Sequence, residues 1–144
     1  MNILHIGTNI DSGAGLGMFR LHFDLLGKGI DSHILARYSE SSDKRISAFF
    51  TKGDKEQLWR LRDMPERILH KLRIHDSDYY RANKLLTVCR SSHAMVSSPF
   101  TRLNVMSHPW IREADVIHLH WTACFLDWQK FFPTVKKACC LDAS

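Results

Sequence analysis

Cysteine is scarce in this chain. There are four, at Cys89, Cys124, Cys139 and Cys140, and none belongs to a C-x-x-C pair. Adjacent Cys139 and Cys140 are poorly placed to bridge each other, so neither a zinc knuckle nor a disulfide framework follows, and buried, reduced thiols are expected. No run approaches the ~20 consecutive apolar residues that a membrane-spanning helix needs. The opening Met1-Asn2-Ile3-Leu4-His5-Ile6-Gly7 has neither a basic flank nor a long apolar segment. It does not read as a secretory signal, and a cytoplasmic protein is expected. Internal repeats and low-complexity tracts are absent as well.

What is present is the composition of one ordinary domain. The 144 residues are 44% hydrophobic and 24% charged, which argues against disorder. A chain of this size buries roughly 70% of the surface its unfolded form exposes, enough for a real core. Lys and Arg number 20 against 15 for Asp and Glu, a net charge of +5. The excess favours anionic partners such as phosphorylated sugars, acidic lipids or nucleic acid. Nucleic acid ranks last, because the basic residues alternate with acidic ones and no aromatic stacking motif accompanies them.

The pattern of apolar residues predicts an α/β fold. Asn2 to Gly7 reads as a buried strand, followed by a turn-rich stretch from Thr8 to Gly17. Leu16, Phe19, Phe23 and Leu26 then recur at helical spacing, flanked by Met18, Leu21 and Leu25. So wide an apolar arc predicts a helix packed on a sheet, stopped by Gly27 and Gly29. Ser32 to Ala36 reads as a second strand, which completes a right-handed βαβ unit, and Ile46 to Phe50 as a third strand. From Lys52 to Arg73 basic residues outnumber acidic ones seven to four. Pro65 divides that segment into two helices, the second capped by Asp63 and Glu66. Such a basic amphipathic segment is either a solvated face or a surface for anionic membrane. Ser97 to Asn104 is expected as loop. A short helix is predicted from Pro109 to about Ala114, and a strand over Asp115 to Trp121. A helical stripe of Phe125, Trp128 and Phe132 follows, broken at Pro133.

Two constellations carry chemistry. Ser12, Gly13, Ala14 and Gly15 lie between a strand and a helix, where backbone N–H groups and a helix N-terminus can cradle a phosphate. A merely flexible connection is the plainer alternative. The spacing is not the dinucleotide fingerprint, since Met18 stands where the last glycine would be, and no Gly-Lys-Ser/Thr of a Walker loop occurs. His118 and His120 stand two apart on a strand, so both imidazoles share one face while Ile117, Leu119 and Trp121 take the other. They could form a hydrogen-bonded structural pair, a ligand contact at the strand's carboxyl end, or part of a zinc site. The zinc reading would need further ligands on later strands, and no metal is assigned.

These segments together resemble the N-terminal domain of family-4 glycosyltransferases with the GT-B fold. Asn2-Ile3-Leu4-His5-Ile6-Gly7, then Ser12-Gly13-Ala14-Gly15, then a helix bearing Arg20-Leu21-His22 match its opening. His108-Pro109-Trp110-Ile111-Arg112-Glu113-Ala114-Asp115-Val116-Ile117-His118-Leu119-His120-Trp121 looks like its more specific second block. Ser98-Pro99-Phe100 and Phe125-Leu126 also fit, while the charged middle aligns loosely. The resemblance implies an incomplete Rossmann-like parallel sheet flanked by helices over residues 1–137. This is the acceptor-side part of an enzyme whose separate C-terminal domain binds a nucleotide sugar. It implies transfer of that sugar, with retention of configuration and no metal or other cofactor, to a glycan or lipid-linked acceptor, as in polysaccharide assembly. Ser12 to Gly15 would approach the donor diphosphate. His118 and His120 would line the cleft floor as the catalytic pair, with His120 nearer the opening.

After Lys136-Lys137 the resemblance stops, and residues 138–144 read as a divergent tail of a truncated chain. The sheet is therefore expected to end on an edge its next strand would cover. With the family's paired donor-domain glutamates absent, no transferase activity is expected of the chain alone. Two other classes stay open: a non-catalytic remnant or binding module for an anionic sugar or phosphate ligand, and an NADP-type reductase suggested by Arg37 after the second strand. The glycine spacing speaks against the reductase.

Overall fold

The computed structural model describes residues 1–11, 13–51, 64–65, 68–69, 71–72, 101, 103–135 and 139–141. Its centre is a parallel sheet of five strands, β1 (Asn2–Asn9), β2 (Asp31–Tyr38), β3 (Ile46–Phe50), β4 (Val116–Leu119) and β5 (Cys139–Leu141). The order across the sheet is β3-β2-β1-β4-β5. The chain thus builds outward on one side of β1 and then crosses to the other, so strand order reverses between β1 and β4. The sheet is accompanied by helices α1 (Gly13–Gly27), α2 (Pro109–Glu113) and α3 (Trp128–Thr134) and by a 3-10 turn at Val105–Ser107, and residues 64–65, 68–69 and 71 are also helical. The α/β class and its parallel sheet are as the sequence predicts.

Alternation along the strands separates two unlike faces. Leu4, Ile6, Leu35, Ile117 and Leu119 face a purely apolar cluster completed by Leu103, Val105, Ile111, Phe125, Leu126 and Phe131. On the opposite face α1 packs Met18 against Ile34, Ala36, Ile46 and Ile10. That face also carries His5, His118, His120 and Ser32, and α1 adds His22.

The helix begins earlier than the glycine content suggests. Gly13, Ala14 and Gly15 form the first turn of α1, so the expected turn-rich stretch to Gly17 shrinks to the few residues after Asn9. Gly15 explains the geometry: a Cβ there would overlap the carbonyl oxygen of Asn9 and come within 2.7 Å of Ile10 backbone atoms. The helix can enter so close to the end of β1 only because position 15 has no side chain. The buried face of α1 is Gly15, Met18 and His22, not the Leu16–Phe19–Phe23–Leu26 stripe. Leu16 and Phe23 are 46% and 43% exposed. The close approach at Gly15 rotates the helix so that the Met18 and His22 row faces the sheet. The helix ends at Gly27, and Gly29 follows with φ +74, the left-handed conformation that favours glycine.

The second half departs in two places. Phe125 and Phe131 are the buried aromatics, while Trp128 and Phe132 are exposed, and Pro133 is accommodated in the last turn of α3. The helix starts three residues after Phe125, with Asp127 as its cap, its carboxylate accepting from the Lys130 N–H at 3.2 Å. Residues 139–141, read as divergent tail, pair in parallel with β4, Ile117 opposite Cys139 and Leu119 opposite Leu141. Among the described residues β5 is thus the outer strand on that side. Most of the charged middle, the Ser98-Pro99-Phe100 segment and residues 136–138 lie outside the described residues.

Glycine substitutions separate the roles of the helix. Gly15→Ala is expected to cost about 3 kcal/mol or more, because the backbone it strikes cannot swing away. Gly17→Ala, which meets nothing within 4 Å, is expected to stabilise by about 0.5–1 kcal/mol through helix propensity. Urea unfolding midpoints of the two variants check both signs.

Candidate functional site

Parallel pairing of β1 with β4 places His5 directly beside His118. Beyond β4 the chain keeps following β1. The His120 N–H donates to the Ile6 carbonyl at 2.9 Å, and the Thr8 N–H donates to the Trp121 carbonyl at 2.7 Å. Thr8 Oγ1 donates to the Ala123 carbonyl at 3.0 Å. At the other end, the Asn2 N–H donates to the Asp115 carboxylate at 2.8 Å, and the Asp115 N–H to the Asn2 carbonyl at 2.8 Å. With both ends of the pair clamped, the side chains between them have little freedom to shift in register.

The result is a cluster of three imidazoles at the point of strand reversal. Ring centroids of His118 and His120 are 4.1 Å apart, and His5 stands 5.3 Å from each. His5 Nδ1 and His120 Nε2 share a hydrogen bond of 3.1 Å, so one nitrogen carries the proton and the other accepts it. Exposure grades the three: His5 is fully buried, His118 is 9% exposed and His120 is half-buried toward the carboxyl end of the strands. His22 extends the polar layer toward β2, its Nδ1 lying 2.8 Å from Ser32 Oγ. Among the described residues, His5 Nε2 and His22 Nε2 are buried side-chain nitrogens with no hydrogen-bond partner.

The electrostatics favour the neutral form of His5 and of His22. Burial, reinforced by the neighbouring His120, His118 and His22, pushes the His5 pKa from 6.5 down to about 3. Burial also lowers His22, against the opposing pull of Asp43. A neutral imidazole can accept at one nitrogen and donate from the other, which an imidazolium cannot do.

The sequence-predicted residues fall as follows. His118 and His120 meet on one face as expected. Gly13, Ala14 and Gly15 stand as the first turn of α1, which is separated from the carboxyl end of β1 by three residues. Ser12 lies outside the described residues. A helix N-terminus at that end of a parallel sheet presents unpaired N–H groups and the positive end of the dipole to an anion. His5 was not singled out in sequence. Its parity on β1 matches the glycine and asparagine of the same face, but only the β1–β4 register puts it beside His118. Arg37 is not at the crevice. Its Nη1 donates to the Cys124 carbonyl at 2.6 Å on the apolar side of the sheet. There it steadies a turn in which Cys124 takes φ 55, an uncommon conformation for a residue with a side chain. A cavity of about 310 Å³ also opens on that opposite face, between Thr101, Leu103 to Met106 and α3. Asp127 and Lys130 at its rim pair with each other at 3.2 Å, so the described residues around it offer no converging reactive groups.

No family model matches the chain, and no significant match was found among curated proteins or solved structures. No helix among the described residues is long and apolar enough to cross a membrane.

The buried imidazoles dictate a pH response of the metal-free protein. In the unfolded chain a histidine binds a proton near pH 6.5, whereas folded His5 does so only near pH 3. The unfolded state holds the extra proton between those values. Stability is therefore complete above pH 6.5 and drains as pH falls toward 3, by up to about 1.4 kcal/mol per unit for one group. Urea midpoints from pH 7.5 to 4.5 in the presence of chelator are expected to fall accordingly, and less steeply in His5→Gln.

Proposed function

We propose that this chain is the acceptor-side part of a retaining glycosyltransferase of GT-B type, working with a donor-binding domain to pass a sugar from a nucleotide sugar to a glycan or lipid-linked acceptor. The observation that carries the reading is the pair of His118 and His120 at the carboxyl end of β4, beside the strand-order reversal where parallel α/β sheets bind ligands. The N-terminus of α1 supports it, since a diphosphate near Gly13, Ala14 and Gly15 would meet N–H groups and a favourable dipole.

In this reading His120, half-buried and foremost, hydrogen-bonds a hydroxyl of the transferred sugar. That bond strengthens as positive charge develops at the anomeric carbon. His118 lines the floor behind it. His5 is a positioning residue: its 3.1 Å bond to His120 Nε2 fixes which nitrogen of the outer ring faces the ligand. The reaction would take place at the cytoplasmic side of a membrane when the acceptor is lipid-linked. Exposed Met64, Ile68 and Leu72, 51%, 51% and 60% accessible, would give the basic middle segment an apolar edge for peripheral contact.

The test joins the chain to the donor-binding half of a GT-B glycosyltransferase and follows release of nucleoside diphosphate from UDP- and GDP-sugars. Turnover in the fusion, absent from the chain alone, is expected to fall by about two orders of magnitude in His120→Ala. Saturable binding of sugar phosphates by the chain, with no turnover in any fusion, assigns a binding module instead. Sugar transfer by the unfused chain overturns the proposal that it needs a donor domain.

A further inference from the structure

The three imidazoles at the strand reversal carry an inference that does not depend on sugar transfer. We propose that His5, His118 and His120 form a binding site for one divalent transition-metal ion of the zinc type, with three histidine ligands and a fourth position open to the crevice. In the linear sequence the His118/His120 pair lacks the third ligand that zinc requires. The structure supplies it from the first strand, by the register that sets His5 beside His118.

Distances and donor chemistry both fit. One nitrogen from each ring can be chosen so that all three lie within 4.8 Å of one another. His5 Nδ1 and His120 Nε2 are already 3.1 Å apart. Around a tetrahedral ion with Zn–N bonds of about 2.0 Å, ligand nitrogens stand about 3.3 Å apart. The His5–His120 edge is therefore close to its liganded length, and the 4.8 Å bound leaves the third ring only a small adjustment. An ion between these rings would replace a single shared proton as the link between His5 and His120.

The surroundings separate this cluster from a chance grouping of surface histidines. His5 is fully buried, and its Nε2 has no partner among the described residues. The β1 and β4 backbones that carry the rings are clamped at both ends, so the cluster is preorganised and binding orders little else. Two imidazoles on adjacent strands and a third at the mouth give the three-ligand, one-open arrangement of sites that hold water or a substrate oxygen. His120 is the ligand nearest solvent, and entry is past its ring.

The experiment strips the purified 144-residue protein with chelator and titrates it with Zn(II) by calorimetry and with Co(II) by visible absorption. One equivalent is expected to bind, giving the intense d–d bands of a four-coordinate site without a thiolate charge-transfer band. His5→Ala and His120→Ala are each expected to weaken binding by about tenfold to hundredfold or more. His120→Ala alters a half-buried residue beyond the end of β4, so it keeps the test decisive if His5→Ala does not fold. His108→Gln, at the start of α2 on the other face, is expected to bind as the parent does. Absence of saturable binding overturns the proposal. Binding unchanged in His120→Ala, or a thiolate band implicating the cysteines, overturns it equally. Because both readouts are binding measurements, failure here leaves the glycosyltransferase reading untouched, and the reverse holds too.

Discussion

The pairing of β1 with β4 is the constraint from which the rest of this molecule follows. Residues 2 to 9 and 116 to 121 are joined by backbone hydrogen bonds and by the Asn2–Asp115 clamp at one end and the Thr8–Trp121 link at the other. That pairing decides which side chains from distant parts of the chain share a face. It sets apolar Leu4 beside Ile117 and Ile6 beside Leu119, and in the same stroke His5 beside His118. A slip of one residue would put histidines into the apolar core and leucines under α1, at a cost the fold could not offset. The precision of the histidine cluster is thus inherited from the hydrophobic core behind it.

The two faces divide the labour. The apolar face, closed by Phe125, Leu126 and Phe131, supplies most of the burial that favours the folded state. The α1 face gives up part of that gain by burying His5, His22 and Ser32, which need partners to be tolerated. His22 finds one in Ser32 and His5 finds one in His120, yet each keeps a second nitrogen without a partner among the described residues. A face that served only to pack would carry aliphatic residues at these positions, as its Met18, Ile34 and Ala36 do. Polar groups concentrated beside the strand reversal, rather than scattered, are what a ligand site on this fold requires.

Much of this was legible from local pattern. The strands at Asn2, Ser32, Ile46 and Asp115, the helix stop near Gly27, and the Pro109 helix start each rest on signals within a few residues of one another. The His118/His120 pairing on one face needed nothing beyond strand alternation. What could not be read is whatever depends on approach in space. The rotation of α1 is set by Gly15 against the Asn9 carbonyl, which overrides the more hydrophobic Leu16 and Phe23 stripe. His5 joins the cluster through pairing across 113 residues. Cys139 to Leu141 is too short and too plain in sequence to announce a strand, and it is placed by the open edge of β4. The glycines of the first turn looked like a loop because glycine marks both flexible turns and close packing, and only the neighbouring backbone distinguishes them.

The long separation between β1 and β4 has a consequence for how the protein comes into being. During synthesis β1, α1, β2 and β3 emerge within the first 50 residues and can pair locally, since their loop closures are short. One edge of β1, with its row of free N–H and C=O groups, then stays open until the chain beyond Leu119 has left the ribosome. At roughly 5–20 residues per second, that interval lasts on the order of several seconds. The strand that carries His5 is thus open to wrong partners in the nascent chain, and the crevice is completed only when this long-range pairing forms.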